Sequence, residues 1–191
     1  MAEAAPTAAH VTHHPPGDTA TGLAVGDFLL TGVVQQGVVS RAIKFGALLR
    51  GIPKPFRRFS HAALVIDADG TLAEALARGV VRSPLSKYAP ANYVIVHTKV
   101  TGQDSEEVLK FAEAVLATRV RYGFVTIAGL ALYCLSGTSL CIQKAGTAIC
   151  SGFVSDALTR STYIWPRPPY SMMPADLAQF FDVRQSPQAA A

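Results

Sequence analysis

The sequence predicts an α+β domain, a small antiparallel sheet flanked by helices. Three observations carry that expectation. Short apolar runs with strand character, bounded by turn signals, cluster between residues 27 and 100. Helical spacing of apolar residues marks 36–50 and 103–120. Half of the 191 residues are hydrophobic and only 16% are charged, which suits one globular domain with a substantial core.

The elements follow in order. Residues 1–22 are rich in Ala, Thr, His and Pro without periodicity and read as a flexible tail. Its histidines His10, His13 and His14 lack Cys or acidic partners and are expected to be solvated, with no metal. Residues 27–34 alternate weakly, as a strand does. Val38, Val39, Ala42, Phe45 and Leu49 set a helical stripe, which Gly51-Ile52-Pro53-Lys54-Pro55 breaks. Residues 61–68 form a buried-type strand, Asp69-Gly70 a two-residue turn, and 71–77 the returning strand. Residues 79–83 continue the sheet or form a bulge.

Residues 92–100 give a further strand, with Val94 and Val96 on one face and Tyr93, Ile95 and His97 on the other. The helix over 103–120 places Glu106 and Glu107 in its first turns and a core stripe of Val108, Phe111, Val115 and Leu116. Residues 122–143 carry no charge. Their most apolar part, 124–135, has the length of a buried helix rather than of a membrane span. A further helix starts at Cys150, and Pro174 opens a last short one. The domain is expected to run from 23 to 185, with 186–191 as a second tail.

Composition narrows the function. No basic stretch followed by an apolar core marks a secretory signal. The three cysteines, Cys134, Cys141 and Cys150, cannot all pair within the chain, so free thiols and a cytoplasmic setting are expected. The net charge of +4 is local. Arg41, Lys44, Arg50, Lys54, Arg57 and Arg58 lie together with no acid among them, and without those six the remaining 11 basic residues face 13 acidic ones. Ile43, Phe45, Leu48, Leu49, Ile52 and Phe56 interleave with them. This mixture suits an acidic substrate or an anionic membrane surface; nucleic acid, which calls for more polar readers, is not the expected partner. No phosphate loop or dinucleotide motif is present, and no cofactor is expected.

The chemistry centres on Cys150. A thiol in the first turn of a helix meets unpaired N–H groups and the positive end of the helix dipole, which favour a thiolate. A nucleophile needs a base, and His61, at the start of its strand, offers one. A third polar group must orient the imidazole. Glu74, the one ionisable residue within the apolar run 71–77, is a candidate, and His97 is another. A two-residue turn at Asp69-Gly70 would set Glu74 opposite Val65, on the face of His61 but about 13 Å along the strand from it. A His61–Glu74 contact therefore requires a displaced turn or a bulge.

The ordered set Gly26-Asp27-Phe28-Leu29-Leu30, Ser60-His61-Ala62-Ala63-Leu64-Val65-Ile66, Glu74-Ala75 with Gly79-Val80, Tyr122-Gly123, Cys150-Ser151-Gly152-Phe153-Val154 and Met173-Pro174-Ala175-Asp176-Leu177 resembles the circularly permuted branch of the NlpC-like papain-fold superfamily, the YiiX/YaeF-like proteins. The resemblance spans roughly residues 25–181. It implies a permuted papain-like fold, in which the histidine strand precedes the cysteine helix. It also implies Cys150 as nucleophile, His61 as base and Glu74 as the third polar residue. Relatives place a hydroxylated aromatic near the histidine or cysteine; Phe59 has no hydroxyl, and Tyr88, Tyr93 and Tyr122 are the alternatives. No cell-wall-binding repeat accompanies the domain. The expected activity is a cysteine hydrolase of peptidase or amidase type, acting on a small peptide or other amide. The branch is also similar to lecithin retinol acyltransferase-like enzymes, which implies acyl transfer or lipid hydrolysis at a membrane as the alternative. A non-enzymatic membrane-binding module is the third reading.

Overall fold

The computed structural model describes residues 9–32, 38–76, 79–118 and 150–184, with backbone alone at 38–42. It is an α+β arrangement of six strands and, among the described residues, four α-helices. In chain order these are β1 (His10–His14), β2 (Phe28–Thr31), α1 (Val38–Leu49), β3 (His61–Val65), β4 (Thr71–Leu76), β5 (Gly79–Pro84), β6 (Tyr93–His97), α2 (Gln103–Ala117), α3 (Cys150–Leu158) and α4 (Pro174–Phe180). The sheet order is β1-β6-β2-β3-β4-β5, and every neighbouring pair is antiparallel.

Alternation along the strands gives the sheet two apolar faces, both covered. Phe28, Leu30, Ala62, Leu64, Ala73, Ala75, Val94 and Val96 share one core with α1, α2, α3 and α4. Leu29, Ala63, Val65, Leu72, Tyr93 and Ile95 share another with Ala20, Leu23, Leu85 and Tyr88. The split of β6 matches its sequence pattern. α3 is buried all round except at Asp156, as expected of a helix with few polar residues. Its two buried hydroxyls are paired, Ser151 Oγ donating to Met172 O at 2.6 Å and Ser155 Oγ to Ser151 O at 2.8 Å.

Two departures from the sequence reading matter. The first lies in the expected tail. His10–His14 form β1, an edge strand paired with β6; His10 and His13 are exposed on it as expected, whereas His14 has an acid partner, Asp18 Oδ2 at 2.9 Å from its Nδ1. Ala20 N–H donates to the Tyr93 hydroxyl at 3.0 Å, and Leu23 is buried. The physical reason is the free edge of β6, whose backbone groups need partners that a run as short as His10–His14 can supply.

The second is the β3–β4 turn. β3 ends at Val65, and the register pairs Leu64 with Ala73 and Val65 with Leu72. Ile66 N–H donates to Thr71 O at 2.9 Å, closing a loop over Asp67-Ala68-Asp69-Gly70 rather than over Asp69-Gly70 alone. The Asp67 carboxylate accepts the Thr71 N–H at 2.8 Å, a side-chain bond that competes with continued strand pairing. Gly70 takes a φ of +86°, which a side chain would strain. Leu85 N–H in turn donates to Gly70 O at 2.8 Å, fixing the segment after β5 to this loop.

Residues 79–83 continue the sheet, within β5. No helix among the described residues is long and apolar enough to cross a membrane. The uncharged segment 122–143, with Tyr122, Cys134 and Cys141, lies outside the described residues, as do the chain ends 1–8 and 185–191.

Candidate active site

The displaced turn decides the site. Extending the β3–β4 register by one pair sets Glu74 opposite Ala63, two residues from the position opposite His61. That is a diagonal cross-strand neighbour, ~7–8 Å between backbones and within reach of long side chains. His61 Nε2 and Glu74 Oε2 lie 2.9 Å apart. The two-residue turn would have left these groups about four residues apart along the strands.

Glu74 is fully buried, so its charge demands partners. β5 and the 3-10 turn after it, Leu85–Tyr88, supply them. The Lys87 ammonium binds Oε1, and the Tyr88 hydroxyl donates to the same Oε2 that meets His61. Ser83, diagonal to Glu74 across the β4–β5 pair, adds a further side-chain bond. Burial alone would raise the Glu74 pKa. The bonds from His61, Lys87, Ser83 and Tyr88 outweigh it and hold the carboxyl well below the usual range. Burial, with the Glu74 carboxylate beside it, pushes the Tyr88 hydroxyl up, so Tyr88 stays a neutral donor.

α3 brings the thiol. It packs on β3 and β4 from the helical face of the sheet. His61 and Glu74 alternate with the residues of the opposite face. Of the two, His61 meets Cys150; it is the first residue of β3 and so stands at the strand end. The Cys150 sulfur faces the His61 ring closely enough for hydrogen bonding and charge to couple the two groups. With Nε2 on the carboxylate, Nδ1 is the nitrogen left for sulfur. Burial would raise the Cys150 pKa. The bond to His61, its charge, and hydrogen bonds from the backbone of Ala62 and Ser151 outweigh burial and lower it. The Ser151 N–H belongs to the first turn, where it has no partner within the helix. Burial would lower the His61 pKa, but Cys150 and Glu74 together raise it to about 9. Both shifts favour the thiolate–imidazolium form of the pair, backed by a carboxylate.

Chemically, such a chain supplies a nucleophile, a group that returns a proton to a leaving atom, and an orienter of the ring. The three residues Cys150, His61 and Glu74 named from the sequence come together. Of the described candidates Tyr88 and Tyr93, Tyr88 is the one in the site, its ring stacked 6.1 Å from that of His61. Lys87 and Ser83 were missed. Their signal was position alone: both flank the Glu74 carboxylate once the β4–β5 hairpin is drawn.

His97 does not orient His61. β2 separates its strand from β3, and its Nδ1 lies 2.8 Å from Asp27 Oδ2. The basic set also divides. Arg50 is not a surface group: its side chain is 6% exposed, donating to Ser171 O and to Asp176 Oδ2, each at 3.0 Å. That interaction ties α1 to the start of α4, because a buried guanidinium requires carboxylate and carbonyl partners. Lys44 Nζ is half-buried and donates to Gly32 O at 3.0 Å. Lys54 is exposed, and Arg57 and Arg58 are partly so; the side chain of Arg41 lies outside the described residues. Among the described residues, no three His, Cys, Asp or Glu side chains gather as a metal-binding group.

Compared with known proteins, the chain matches no family model, no curated protein and no solved structure.

Proposed function

We propose that this protein is a cysteine hydrolase of peptidase or amidase type on a permuted papain-like fold. The observation that carries the reading is Cys150 coupled to His61, with His61 hydrogen-bonded to a buried Glu74 that Lys87 and Tyr88 also bind. Structural ion pairs also perturb pKa values, but they do not as a rule end on a thiol at a helix start. In the reaction the Cys150 thiolate attacks the carbonyl carbon of an amide. The N–H of Cys150 helps to hold the oxyanion, the His61 imidazolium gives its proton to the leaving amine, and an acyl-enzyme remains. Neutral His61 then takes a proton from water, which attacks the thioester carbonyl and releases acid and thiolate. Glu74 keeps the ring oriented throughout. Free thiol chemistry of this kind suits a reducing, cytoplasmic setting.

A second reading, acyl transfer from or hydrolysis of a lipid, uses the same residues and differs in the acyl group. It is favoured by the exposed apolar side chains of α1, whose following turn leads to His61.

The test has two parts. Cys150 is only 2% exposed, so a small reagent is appropriate. Iodoacetamide at neutral pH should label Cys150 ahead of Cys134 and Cys141, and His61→Ala should remove that preference. Incubation with a mixed peptide and acyl-lipid pool, followed by intact mass, should then show an acyl adduct absent from Cys150→Ala. Labelling of Cys150 no faster than the other cysteines sinks the proposal and leaves a non-enzymatic module.

A further inference from the structure

α1 is apolar on two sides. Ile43 and Ala47 face the core, whereas Phe45, Leu48 and Leu49 are 52%, 50% and 46% exposed. The spacing of 45, 48 and 49 puts all three on one outer face. In the turn that follows, Ile52 and Phe56 point inward, leaving Pro53, Lys54 and Pro55 exposed. Arg50, donating to Ser171 O, brings exposed Tyr170 and the segment of Arg167 to the same end of the helix. Isolated apolar side chains are ordinary on a surface; a grouped set is not.

The chain segments that supply this face carry basic residues and no acidic ones. The sequence holds no Asp or Glu between Asp27 and Asp67, and none between Asp156 and Asp176. Those two stretches supply α1, its turn and the Tyr170 segment. Asp176 is already paired with Arg50. The complement of such a face is negative in charge and apolar behind it, which describes the headgroups and acyl chains of an anionic leaflet. A second copy of the chain would bring the same positive face against itself.

We propose that the outer face of α1 docks on an anionic lipid surface. Phe45, Leu48 and Leu49 enter the boundary between headgroups and acyl chains, and Lys54 and Arg167 lie against the headgroups. The docking does not use the thiol. It does set the segment leading into β3, and so His61, near the bilayer.

The experiment is flotation of the full chain with vesicles of phosphatidylcholine alone and of equal parts phosphatidylcholine and phosphatidylserine. Binding should be at least about tenfold tighter to the anionic vesicles and should weaken with added salt. Phe45→Ser with Leu48→Ser and Leu49→Ser, and separately Lys54→Glu, should each lower it by about tenfold or more, with unchanged circular dichroism and thermal midpoint. Cys150→Ala should bind as the parent does, which separates this proposal from the proposed hydrolysis. Equal binding to both vesicle types overturns it. So does parental binding by the triple variant, or a dimer in sedimentation that the triple variant dissociates.

Discussion

Two histidines in this protein each face a buried carboxylate at nearly the same distance. His61 lies 2.9 Å from Glu74, and His97 lies 2.8 Å from Asp27. They differ in what holds the other ring nitrogen. For His61 it is the Cys150 sulfur. For His97 it is the Thr12 hydroxyl, at 3.3 Å, a group with no base to activate it beyond the ring itself. The carboxylates differ as well. Asp27 also accepts the backbone N–H groups of Ala24 and Thr98, at 3.1 and 3.0 Å, and so spends its lone pairs on the chain entering β2 and leaving β6. The partners of Glu74 among the described residues are side chains: His61, Lys87, Ser83 and Tyr88. A histidine–carboxylate pair is thus a fastener in one place and one half of a reactive site in the other. The neighbours at its two ends decide which.

The contrast breaks most sharply at His61. Alkylation of Cys150 at neutral pH needs thiolate, and a thiol at the ordinary value of 9.0 is only about 1% ionised at pH 7. His61→Ala should therefore slow labelling by about 10–100-fold, part of the lost thiolate being offset by higher intrinsic nucleophilicity. Loss of the proton donor should cost any hydrolytic turnover ~10²–10⁴-fold. His97→Ala should change neither rate by more than about twofold, as expected of a group with no contact to the reacting atoms. An equal loss for the two variants would erase the distinction.

The next largest effect belongs to Glu74→Gln. Turnover should fall about a hundredfold, since the ring loses its orienting acceptor. The pH profile carries the sharper test. The His61 proton is held up to about pH 9 partly by the Glu74 charge, so the alkaline limb should start near 9 in the parent and move lower in Glu74→Gln. Stability follows the same signs. The raised His61 pKa contributes stability that is full below the ordinary 6.5 and lost as pH rises through about 9. The depressed Glu74 pKa contributes stability present above the ordinary 4.5 and lost as pH falls below it. Asp27→Asn should leave the profile in place.

How much of this was legible beforehand follows from what local pattern encodes. Strand and helix periods are local, and the α+β class, β6 with its two faces and α3 beginning at Cys150 were readable from them. Cys150 and His61 were readable because a thiol at a helix start and a histidine at a strand start are local features too. The His61–Glu74 contact was not, because register depends on loop length. One side-chain bond from Asp67 lengthens the loop and moves Glu74 two residues closer to His61. β1 was hidden for a related reason, since His10–His14 gain strand structure from the edge of β6 rather than from their own sequence. Arg50 misled because charge in a sequence reads as surface, and the Asp176 that buries it lies far along the chain.

Lys87 refines the comparison with a smaller effect of opposite sign. It is an ammonium paired with Glu74, and among the described residues no ammonium pairs with the His97–Asp27 couple. Removing it relieves repulsion on the imidazolium and leaves the carboxylate more fully to His61. Lys87→Met should therefore move the alkaline limb above about 9, against the downward shift of Glu74→Gln. Turnover should fall by less than about tenfold, because the ring keeps its orienting acceptor. A downward shift would mean that Lys87 merely props the 3-10 turn.

The smallest effect is expected at Thr12, and it tests the structural side of the contrast. Its hydroxyl lies 3.3 Å from His97 Nε2 and 2.9 Å from His14 Nε2, and so joins β1 to β6 through side chains as well as backbone. Thr12→Val keeps the branched shape that strands favour and removes only the hydroxyl. The loss should be about 0.5–1.5 kcal/mol in chemical denaturation, the usual net worth of such a bond. The rate of Cys150 alkylation should stay at the parental value across the pH range, because β6 and β2 stand between Thr12 and β3. If removing this hydroxyl slowed Cys150, His97 would belong to the reactive site after all, and the division between the two histidine–carboxylate pairs would fail.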